Sequence, residues 1–249
     1  MKSFNELFKE IKPIIGVIHL KGDSENDIKE RALKEIEIYK KGGVDGIIVE
    51  DYFGPYPYLE WTLDYLSKNN PGIPWGVNCL NFDSLNFRLA RIYHCDFLQI
   101  DSVVGHVKPR DEYSLDTFFK LERSDCEALL MGGVRFKYMP VLSACSLEED
   151  LQKAERRCDV VCVTGDGTGM QTPLDKIKEF KKYLGEFPFI ICSGLNEENA
   201  YEQLKIADGA VVGSFFKDTG KDTGDVSLEK VERLMTVVKK LRNDIKSER

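Results

Sequence analysis

The chain lacks the features of a membrane or secreted protein. No apolar run approaches the roughly 18 residues needed to span a bilayer, and the first nine residues carry charges throughout instead of a signal-peptide core. Positive charge is also in deficit, with a formal net charge of −7. This balance disfavours nonspecific nucleic-acid binding. We expect a cytoplasmic protein with no membrane insertion and no nucleic-acid partner.

The cysteines and histidines show no spacing typical of a disulfide framework or of a metal site. The seven cysteines form an odd set without disulfide-framework spacing, which favours buried, reduced thiols. The three histidines are scattered along the chain, which disfavours a tight His-rich metal site. No cofactor is therefore predicted, and a weak carboxylate site for Mg²⁺ stays open. No lysine stands out at a strand end, which disfavours a Schiff-base aldolase mechanism.

No Pro-, Ser- or Gly-rich linker divides the 249 residues, so a single domain over residues 1–249 is predicted. Strand-like and helical segments alternate along it. Most of the strand-like runs are almost continuously apolar and rich in Val and Ile, as expected for strands covered on both faces. The eight predicted strands are Ile14–Leu20, Gly46–Asp51, Trp75–Leu80, Phe97–Asp101, Lys137–Ser143, Asp159–Thr164, Phe187–Cys192 and Gly209–Gly213.

Eight β/α alternations in about 250 residues predict a closed (β/α)8 barrel, also called a TIM barrel. A doubly wound open sheet is the alternative fold, but no Gly-x-Gly-x-x-Gly follows the first strand. Two helix starts are marked by capping patterns: a capping box at Ser146–Glu149 and a cap at Thr172 followed by Pro173. The long segment 103–133, which contains His106, predicts an excursion over the barrel mouth that could act as a lid.

Polar residues follow the predicted strands where the active site of such a barrel lies. They are His19, Glu50, Asp51, Asn78, Asp101, Ser143, Thr164, Asp166, Ser193 and Ser214. Because successive strand residues point to opposite faces, only one of Glu50 and Asp51 can face the axis. We take Glu50 as that residue and predict Glu50, Asp101 and His19 as the acid/base group. A salt-bridged structural role is the alternative for the carboxylates, and a packed core role for His19.

The loops after strands seven and eight have the composition of a phosphate site. Ser193-Gly194 and Gly213-Ser214 combine glycine, which lets backbone amides approach an anion, with a hydroxyl donor. The alternative is that they merely form tight turns. Four further residues are predicted to bind the rest of a substrate: Asn78, Thr164, Asp166 and Lys217. Asn78 would fix a hydroxyl group, and Lys217 would neutralise the phosphate.

These motifs together resemble the BtpA/SgcQ family of barrel proteins. The matching segments are Ile15-Gly-Val-Ile-His-Leu20, Gly42-Gly-Val-Asp-Gly-Ile-Ile-Val-Glu50, Gly76-Val-Asn78, Val163-Thr-Gly-Asp-Gly-Thr-Gly169, Ser193-Gly-Leu-Asn-Glu-Glu-Asn199 and Ala207-Asp-Gly-Ala-Val-Val-Gly-Ser214. The resemblance implies a ribulose-phosphate-binding type of barrel. It also implies a link to photosystem I assembly in phototrophs and to sugar metabolism in enteric bacteria.

The chain departs from the family pattern at three places. Lys21-Gly-Asp-Ser-Glu25 replaces a Pro-rich loop, and Glu50-Asp-Tyr-Phe-Gly54 replaces Glu-Asn-Phe-Gly. The Lys-His pair of the family near the fifth strand is absent from Pro140-Val-Leu-Ser-Ala144. A mechanism that uses that pair would not transfer.

Two functions from different classes follow. The first is an enzyme acting on a phosphorylated sugar or nucleoside-like metabolite by isomerisation, epimerisation or glycosidic-bond cleavage, with a homo-oligomeric assembly left open. The second is a non-catalytic assembly factor, which predicts an exposed apolar patch from the aromatic cluster Tyr52, Phe53, Tyr56, Tyr58 and Trp61. That cluster could equally cap the barrel mouth or form a dimer contact.

Overall fold

Eight parallel strands close into a barrel in sequence order in the computed structural model, which describes residues 2–105 and 111–248. The strands are β1 (Ile14–Ile18), β2 (Gly46–Glu50), β3 (Trp75–Asn78), β4 (Phe97–Ile100), β5 (Leu129–Gly133), β6 (Val160–Val163), β7 (Phe189–Ile191) and β8 (Gly209–Val212). β8 pairs with β1 and completes the ring. The prediction of a closed (β/α)8 barrel is confirmed.

The described helices surround the barrel, except for a short N-terminal one. They are α1 (Phe4–Leu7), α2 (Glu25–Gly42), α3 (Tyr56–Asn69), α4 (Asp83–Tyr93), α5 (Glu112–Arg123), α6 (Leu147–Arg157), α7 (Leu174–Leu184), α8 (Ala200–Ile206) and α9 (Leu228–Ser247), with a 3-10 helix at Ser214–Phe216. Phe4, Leu7 and Phe8 pack with the residues inside the barrel. The segment around α1 therefore closes the end of the barrel at which the strands begin.

Seven of the eight predicted strands are confirmed, and the fifth is wrong. β5 is Leu129–Gly133, whereas residues 137–143 form a loop. The run Leu-Leu-Met-Gly-Gly contains no β-branched residue and ends in two glycines, so its local sequence is a weak strand former. The position of β5 is set by the neighbouring strands, because β5 pairs with β4 along Phe97–Ile100 on one side and with β6 on the other.

The position of β5 also removes the basis for predicting a lid over residues 103–133. Residues 112–123 form α5 and residues 129–133 form β5, so most of segment 103–133 is an ordinary helix and strand of the barrel rather than an excursion over its mouth. His106 and the rest of 106–110 lie outside the described residues. Within the described ranges, no helix combines the length and the apolar character required to cross a membrane.

The alternation of side chains along the strands divides the core into two layers. One apolar cluster fills the barrel interior and contains Ile15, Val17, Ile48, Met131, Cys162 and Val211. The other lies between the strands and the surrounding helices and contains Ile14, Ile18, Ile47, Val49, Leu130 and Val163. The inward positions of each strand can therefore be counted in steps of two, and the count continues to the residues at the strand ends.

Four aspartates fix the end of the barrel at which the strands begin. Each stands directly before an even-numbered strand and accepts a hydrogen bond from a backbone amide at the start of the preceding strand: Asp45 from Ile14, Asp96 from Trp75, Asp159 from Leu130 and Asp208 from Phe189, at 2.8 to 3.2 Å. In return, each aspartate donates its own amide to the carbonyl of that same residue. These carboxylates are used structurally, which leaves the opposite end for function.

The two predicted helix caps have different outcomes. The capping box at Ser146 is present: its hydroxyl accepts from the Glu149 amide, and the Glu149 carboxylate accepts from the Ser146 amide at 2.7 Å. Thr172 does not cap α7, because Pro173 occupies the N-cap position. The buried Thr172 hydroxyl donates instead to the Ser193 carbonyl oxygen at 3.1 Å. Thr172 thus supports the loop after β7.

Candidate active site

A cavity of about 150 Å³ opens at the carboxyl end of the barrel. Its lining combines polar side chains from β1, β2 and β4 with the loops that follow β5, β6, β7 and β8. Six of the sequence-predicted residues lie there together: His19, Glu50, Ser193, Gly194, Gly213 and Ser214. The structure therefore brings the predicted acid/base and phosphate-binding groups to one place, although their positions span most of the chain.

Glu50 and His19 face each other in this cavity. Glu50 Oε2 lies 3.8 Å from His19 Nε2, and both side chains are nearly excluded from solvent. Glu50 faces the barrel axis as predicted. Its neighbour Asp51 points away and accepts a hydrogen bond from the Leu80 amide at 2.7 Å. The strand alternation thus separates a cavity carboxyl group from a structural one.

Burial determines the charge states of Glu50 and His19. It raises the pKa of Glu50 to about 7, with a further rise from nearby Asp101 and an opposing effect of the Lys137 ammonium. It lowers the pKa of His19 to about 3, and the positive charges of Lys217 and Lys137 add to this shift. At neutral pH the imidazole is therefore uncharged, and the 3.8 Å contact is not an ion pair. A carboxyl group that titrates near neutrality suits proton transfer.

Asp101 orients amides rather than lining the cavity. Its Oδ1 atom accepts from Asn78 Nδ2 at 3.2 Å and from Gln99 Nε2 at 3.1 Å. The Asn78 amide also lies 3.5 Å from Glu50 Oε1. Burial raises the pKa of Asp101, while the bonds from the two amides and the charge of Lys137 oppose the rise. Asp101 and Asn78 thus form a hydrogen-bonded pair that contacts the Glu50 carboxyl group through the Asn78 amide.

Lys137 lines the cavity and was missed by the sequence analysis. It lies four residues after β5, and its amide donates to Thr164 Oγ1 at 2.6 Å. Among the described residues that line the cavity, it is the only lysine or arginine. It went unrecognised because the fifth strand was placed over it. With β5 ending at Gly133, Lys137 lies in the loop at the carboxyl end of that strand, where its side chain can reach the cavity.

The predicted phosphate-binding residues come from the two loops after β7 and β8, and the loop after β6 packs against both. Ser193 Oγ accepts from the Gly165 amide at 2.7 Å, so its own proton is left to donate. Gly169, with a positive φ of 74°, lies against the Ser214 side chain: a Cβ atom there would stand 3.2 Å from Ser214 Oγ. Gly213 packs beside the His19 ring in the same way. A Cβ atom at either glycine would thus crowd its neighbour, and at Gly169 the positive φ itself favours glycine.

Gly194 offers a direct test of these loops. Its φ is +66°, and a Cβ atom would stand 2.3 Å from the Met170 carbonyl oxygen. We expect Gly194→Ala to cost more than the roughly 1–2 kcal/mol of left-handed strain alone and to weaken binding of inorganic phosphate. Calorimetry measures both. Gly72→Ala is the control, since Gly72 also has a positive φ but open space around it. Equal effects of the two substitutions would contradict the close contact.

The four predicted substrate-binding residues, Asn78 included, have other partners in this structure, and none of them lines the cavity. Thr164 faces inward but uses its hydroxyl to hold the Lys137 amide. Asp166 is exposed, and its carbonyl oxygen accepts from the Tyr138 amide. Lys217 is buried with 1% side-chain exposure and bonds to Glu35 Oε1 on α2 at 2.8 Å. Neither Asp166 nor Lys217 lines the cavity, so the prediction that Lys217 neutralises a phosphate there is not supported.

Two other predicted features also lie elsewhere. Ser143 is not at a strand end: it lies in the loop after β5, where its Oγ accepts from the Cys145 amide at 3.0 Å. The aromatic cluster after β2 is not an exposed patch. Only Phe53 is exposed, and Tyr56 and Tyr58 pack against the core. In the described part of the chain, no group of three His, Cys, Asp or Glu side chains is arranged to hold a metal ion.

Comparison with known proteins agrees with these features. The model of the BtpA family matches residues 10–240. An uncharacterized protein of Pyrococcus abyssi is 30% identical over 94% of this chain and 98% of its own length. The photosystem I biogenesis protein BtpA of Synechocystis is 26% identical over 86% of this chain and 84% of its own.

Solved structures extend the comparison to the fold. N-(5'-phosphoribosyl)anthranilate isomerase from Pyrococcus furiosus superposes with a TM-score of 0.58 over 92% of this chain and 99% of its own, at 18% identity. At this identity the likeness concerns the fold alone. The family model matches nearly the whole barrel, and a relative is 30% identical over 94% of the chain: the chain belongs to the BtpA family.

Proposed function

We propose that this protein is an enzyme that binds a phosphorylated small molecule in the barrel cavity and transfers a proton with Glu50. The observation that carries the proposal is the position of Glu50, whose pKa of about 7 suits acid/base work, in the same cavity as the loops Ser193-Gly194 and Gly213-Ser214. The phosphate would bind to these loops. The carbon skeleton would then extend toward Glu50, which lies on the opposite half of the barrel.

The number of carboxyl groups favours one type of reaction. Acid/base hydrolysis of a glycosidic bond generally uses two carboxyl groups that flank the bond. Glu50 is the only acidic residue among the described residues that line the cavity. Asp101 lies outside this lining and accepts hydrogen bonds from Gln99 and Asn78. Isomerisation or epimerisation next to a carbonyl group can proceed with one base. We therefore favour these over glycosidic-bond cleavage.

In such a reaction Glu50 takes a proton from the carbon beside the carbonyl group, and the electron pair moves onto the carbonyl oxygen. The uncharged His19 ring donates a hydrogen bond to this oxyanion, and the Lys137 ammonium, which lines the same cavity, supplies positive charge to both the oxyanion and the phosphate. In an isomerisation the protonated Glu50 then returns the proton to the former carbonyl carbon, while the hydroxyl proton of the neighbouring carbon passes to the oxyanion and leaves a carbonyl group there. Burial raises the pKa of Glu50 to about 7. Both of its charge states are therefore accessible near neutral pH, as reversible proton transfer requires.

Proton exchange with solvent tests this proposal without knowledge of the product. The protein is incubated in D₂O with ribulose 5-phosphate, ribose 5-phosphate and dihydroxyacetone phosphate, and deuterium incorporation is followed by NMR. We expect incorporation into at least one ester, a rate that falls below pH 7, and loss of at least about 100-fold in Glu50→Gln. Absence of incorporation in all three, together with absence of phosphate binding, would reject the proposal.

Lys137 provides a second prediction. If its ammonium contacts a bound anion, Lys137→Met should weaken inorganic phosphate binding by about 10- to 100-fold, as expected for the loss of a charged hydrogen bond. Lys137→Arg should retain most of the affinity because it keeps the charge. Isothermal titration calorimetry measures both. Equal affinity of the Met variant and the unmodified protein would place the phosphate beyond the reach of Lys137.

The alternative is a non-catalytic assembly role, as the name of the cyanobacterial relative suggests for that protein. The aromatic cluster on which it depended here is half-buried apart from Phe53. We therefore put the enzyme first. Glu50→Gln and Phe53→Ser separate the two functions: an enzyme loses turnover with the first substitution, and an assembly factor loses its protein partner with the second.

A further inference from the structure

Gln99 has a buried acceptor that no described residue satisfies. It is the third residue of β4 and points into the barrel, where it lines the cavity with 3% of its surface exposed. Its Nε2 atom donates to Asp101, but its Oε1 atom has no hydrogen-bond partner among residues 2–105 and 111–248. Such an atom costs roughly 1–3 kcal/mol when it is left unsatisfied. Buried carbonyl groups therefore nearly always have a donor.

Asp101 determines which way the Gln99 amide faces. The Asp101 Oδ1 atom accepts from two amide groups, Gln99 Nε2 at 3.1 Å and Asn78 Nδ2 at 3.2 Å. A carboxylate cannot donate, so the NH₂ end of Gln99 is held toward Asp101 and the carbonyl end is turned away from it. The unpaired acceptor is thus maintained by a neighbour rather than being an accident of a mobile side chain.

A second buried polar atom belongs to the same cavity. Among the described residues, His19 Nδ1 also has no hydrogen-bond partner, while His19 Nε2 faces Glu50. A nitrogen of a neutral imidazole donates or accepts according to the tautomer, whereas the amide oxygen of Gln99 can only accept. Gln99 Oε1 therefore calls for a ligand with a donor of its own.

A phosphate dianion cannot supply such a donor, because it has only acceptor oxygens. The phosphate-type loops also follow β7 and β8, whereas Gln99 lies on β4, half the barrel away. The group that reaches Gln99 must belong to the far part of the ligand. Hydroxyl groups are the donors that a sugar chain carries.

We propose that Gln99 accepts a hydrogen bond from a ligand hydroxyl group, and that the substrate class is accordingly a polyhydroxylated phosphate ester, a sugar phosphate. This inference rests on the proposed function. Gln99 then selects among phosphate esters by their hydroxyl groups, while the loops after β7 and β8 hold the phosphate that all of them share. Asp101 is a positioning residue for Gln99.

Three probes separate these roles: inorganic phosphate, butyl phosphate and ribose 5-phosphate, each titrated by calorimetry. The unmodified protein should bind ribose 5-phosphate about 5- to 10-fold more tightly than butyl phosphate, as one additional hydrogen bond allows. Gln99→Met keeps the side-chain length without the carbonyl group. It should reduce that ratio to about one and leave the affinity for inorganic phosphate within about twofold.

The outcomes are distinguishable. Equal affinity of the unmodified protein for the two esters would overturn the inference while leaving the proposed function intact, and this comparison does not depend on the folding of any variant. An unchanged ratio in Gln99→Met would overturn it as well. If the unmodified protein binds none of the three probes, the proposed function itself fails, and the role of Gln99 fails with it.

Discussion

Replacing Glu50 by Gln should stabilise the protein at pH 8 far more than at pH 5. Burial raises the pKa of Glu50 from 4.5 to about 7, so the folded protein holds a proton that the unfolded chain releases. The stability that this proton provides is complete below about pH 4.5 and is lost as the pH rises through 7. At pH 8 the buried carboxylate thus costs roughly 3 kcal/mol, and at pH 5 under about 1 kcal/mol.

Thermal unfolding at the two pH values measures this effect. We expect the difference in stability between Glu50→Gln and the unmodified protein to grow by about 2–3 kcal/mol from pH 5 to pH 8, or roughly 5–10 °C in Tm for a chain of this size. Glu179→Gln is the control: Glu179 is an exposed glutamate on α7, and its replacement removes the same charge. A difference that is the same at both pH values would mean that Glu50 titrates as an ordinary glutamate.

Replacing Glu35 by Gln should destabilise the protein, whereas replacing Glu50 by Gln should stabilise it. The side chain of Glu35 is 14% exposed, and burial raises its pKa as well, but the Lys217 ammonium opposes this shift at 2.8 Å. The Lys217 side chain is only 1% exposed and directly follows the 3-10 helix Ser214–Phe216. Glu35→Gln would leave that ammonium buried without a counter-ion, which costs about 3–5 kcal/mol.

A double-mutant cycle separates the pair from its parts. We expect Lys217→Met to cost less than Glu35→Gln, because Glu35 can take up a proton once it has lost its partner. The double variant Glu35→Leu with Lys217→Met should recover most of the stability. The exposed pair Asp64 and Lys68 is the control, since Asp64→Asn should change stability by under about 0.5 kcal/mol. A loss that small in Glu35→Gln would show that Lys217 reaches water.

These two glutamates show why side-chain roles are hard to predict from sequence. Both belong to regular elements, Glu35 to α2 and Glu50 to β2. Lys217, the partner of Glu35, is 182 residues away in sequence. Among the described residues, none with a positive charge lies within salt-bridge distance of Glu50, since its neighbour His19 is uncharged. No local pattern distinguishes a paired glutamate from one that is left to titrate.

Gln99 could have been predicted, whereas Lys137 was hidden by a single wrong strand. Gln99 stands two residues before Asp101 on a strand that was correctly placed, so the period of two assigns it to the inward face. Lys137 follows a strand with no β-branched residue, which was predicted eight residues too late, at 137 instead of 129. That error hid the lysine of the cavity. The argument against a Schiff-base mechanism relied on the same error, because it assumed that no such lysine follows a strand.

The amino-acid sequence by itself determined the barrel, seven of its strands and the inward face of His19, Glu50 and Asn78. Those features follow from apolar runs, their spacing and the alternation of side chains, which are local properties of the chain. Only the tertiary structure decided where β5 lies and that Lys217 pairs with Glu35 rather than lining the cavity. It also decided that Asp101 accepts hydrogen bonds from two amides and that Gln99 Oε1 has no partner among the described residues. Each of these depends on which distant residues become neighbours when the barrel closes, because hydrogen bonding and burial are set by partners in space.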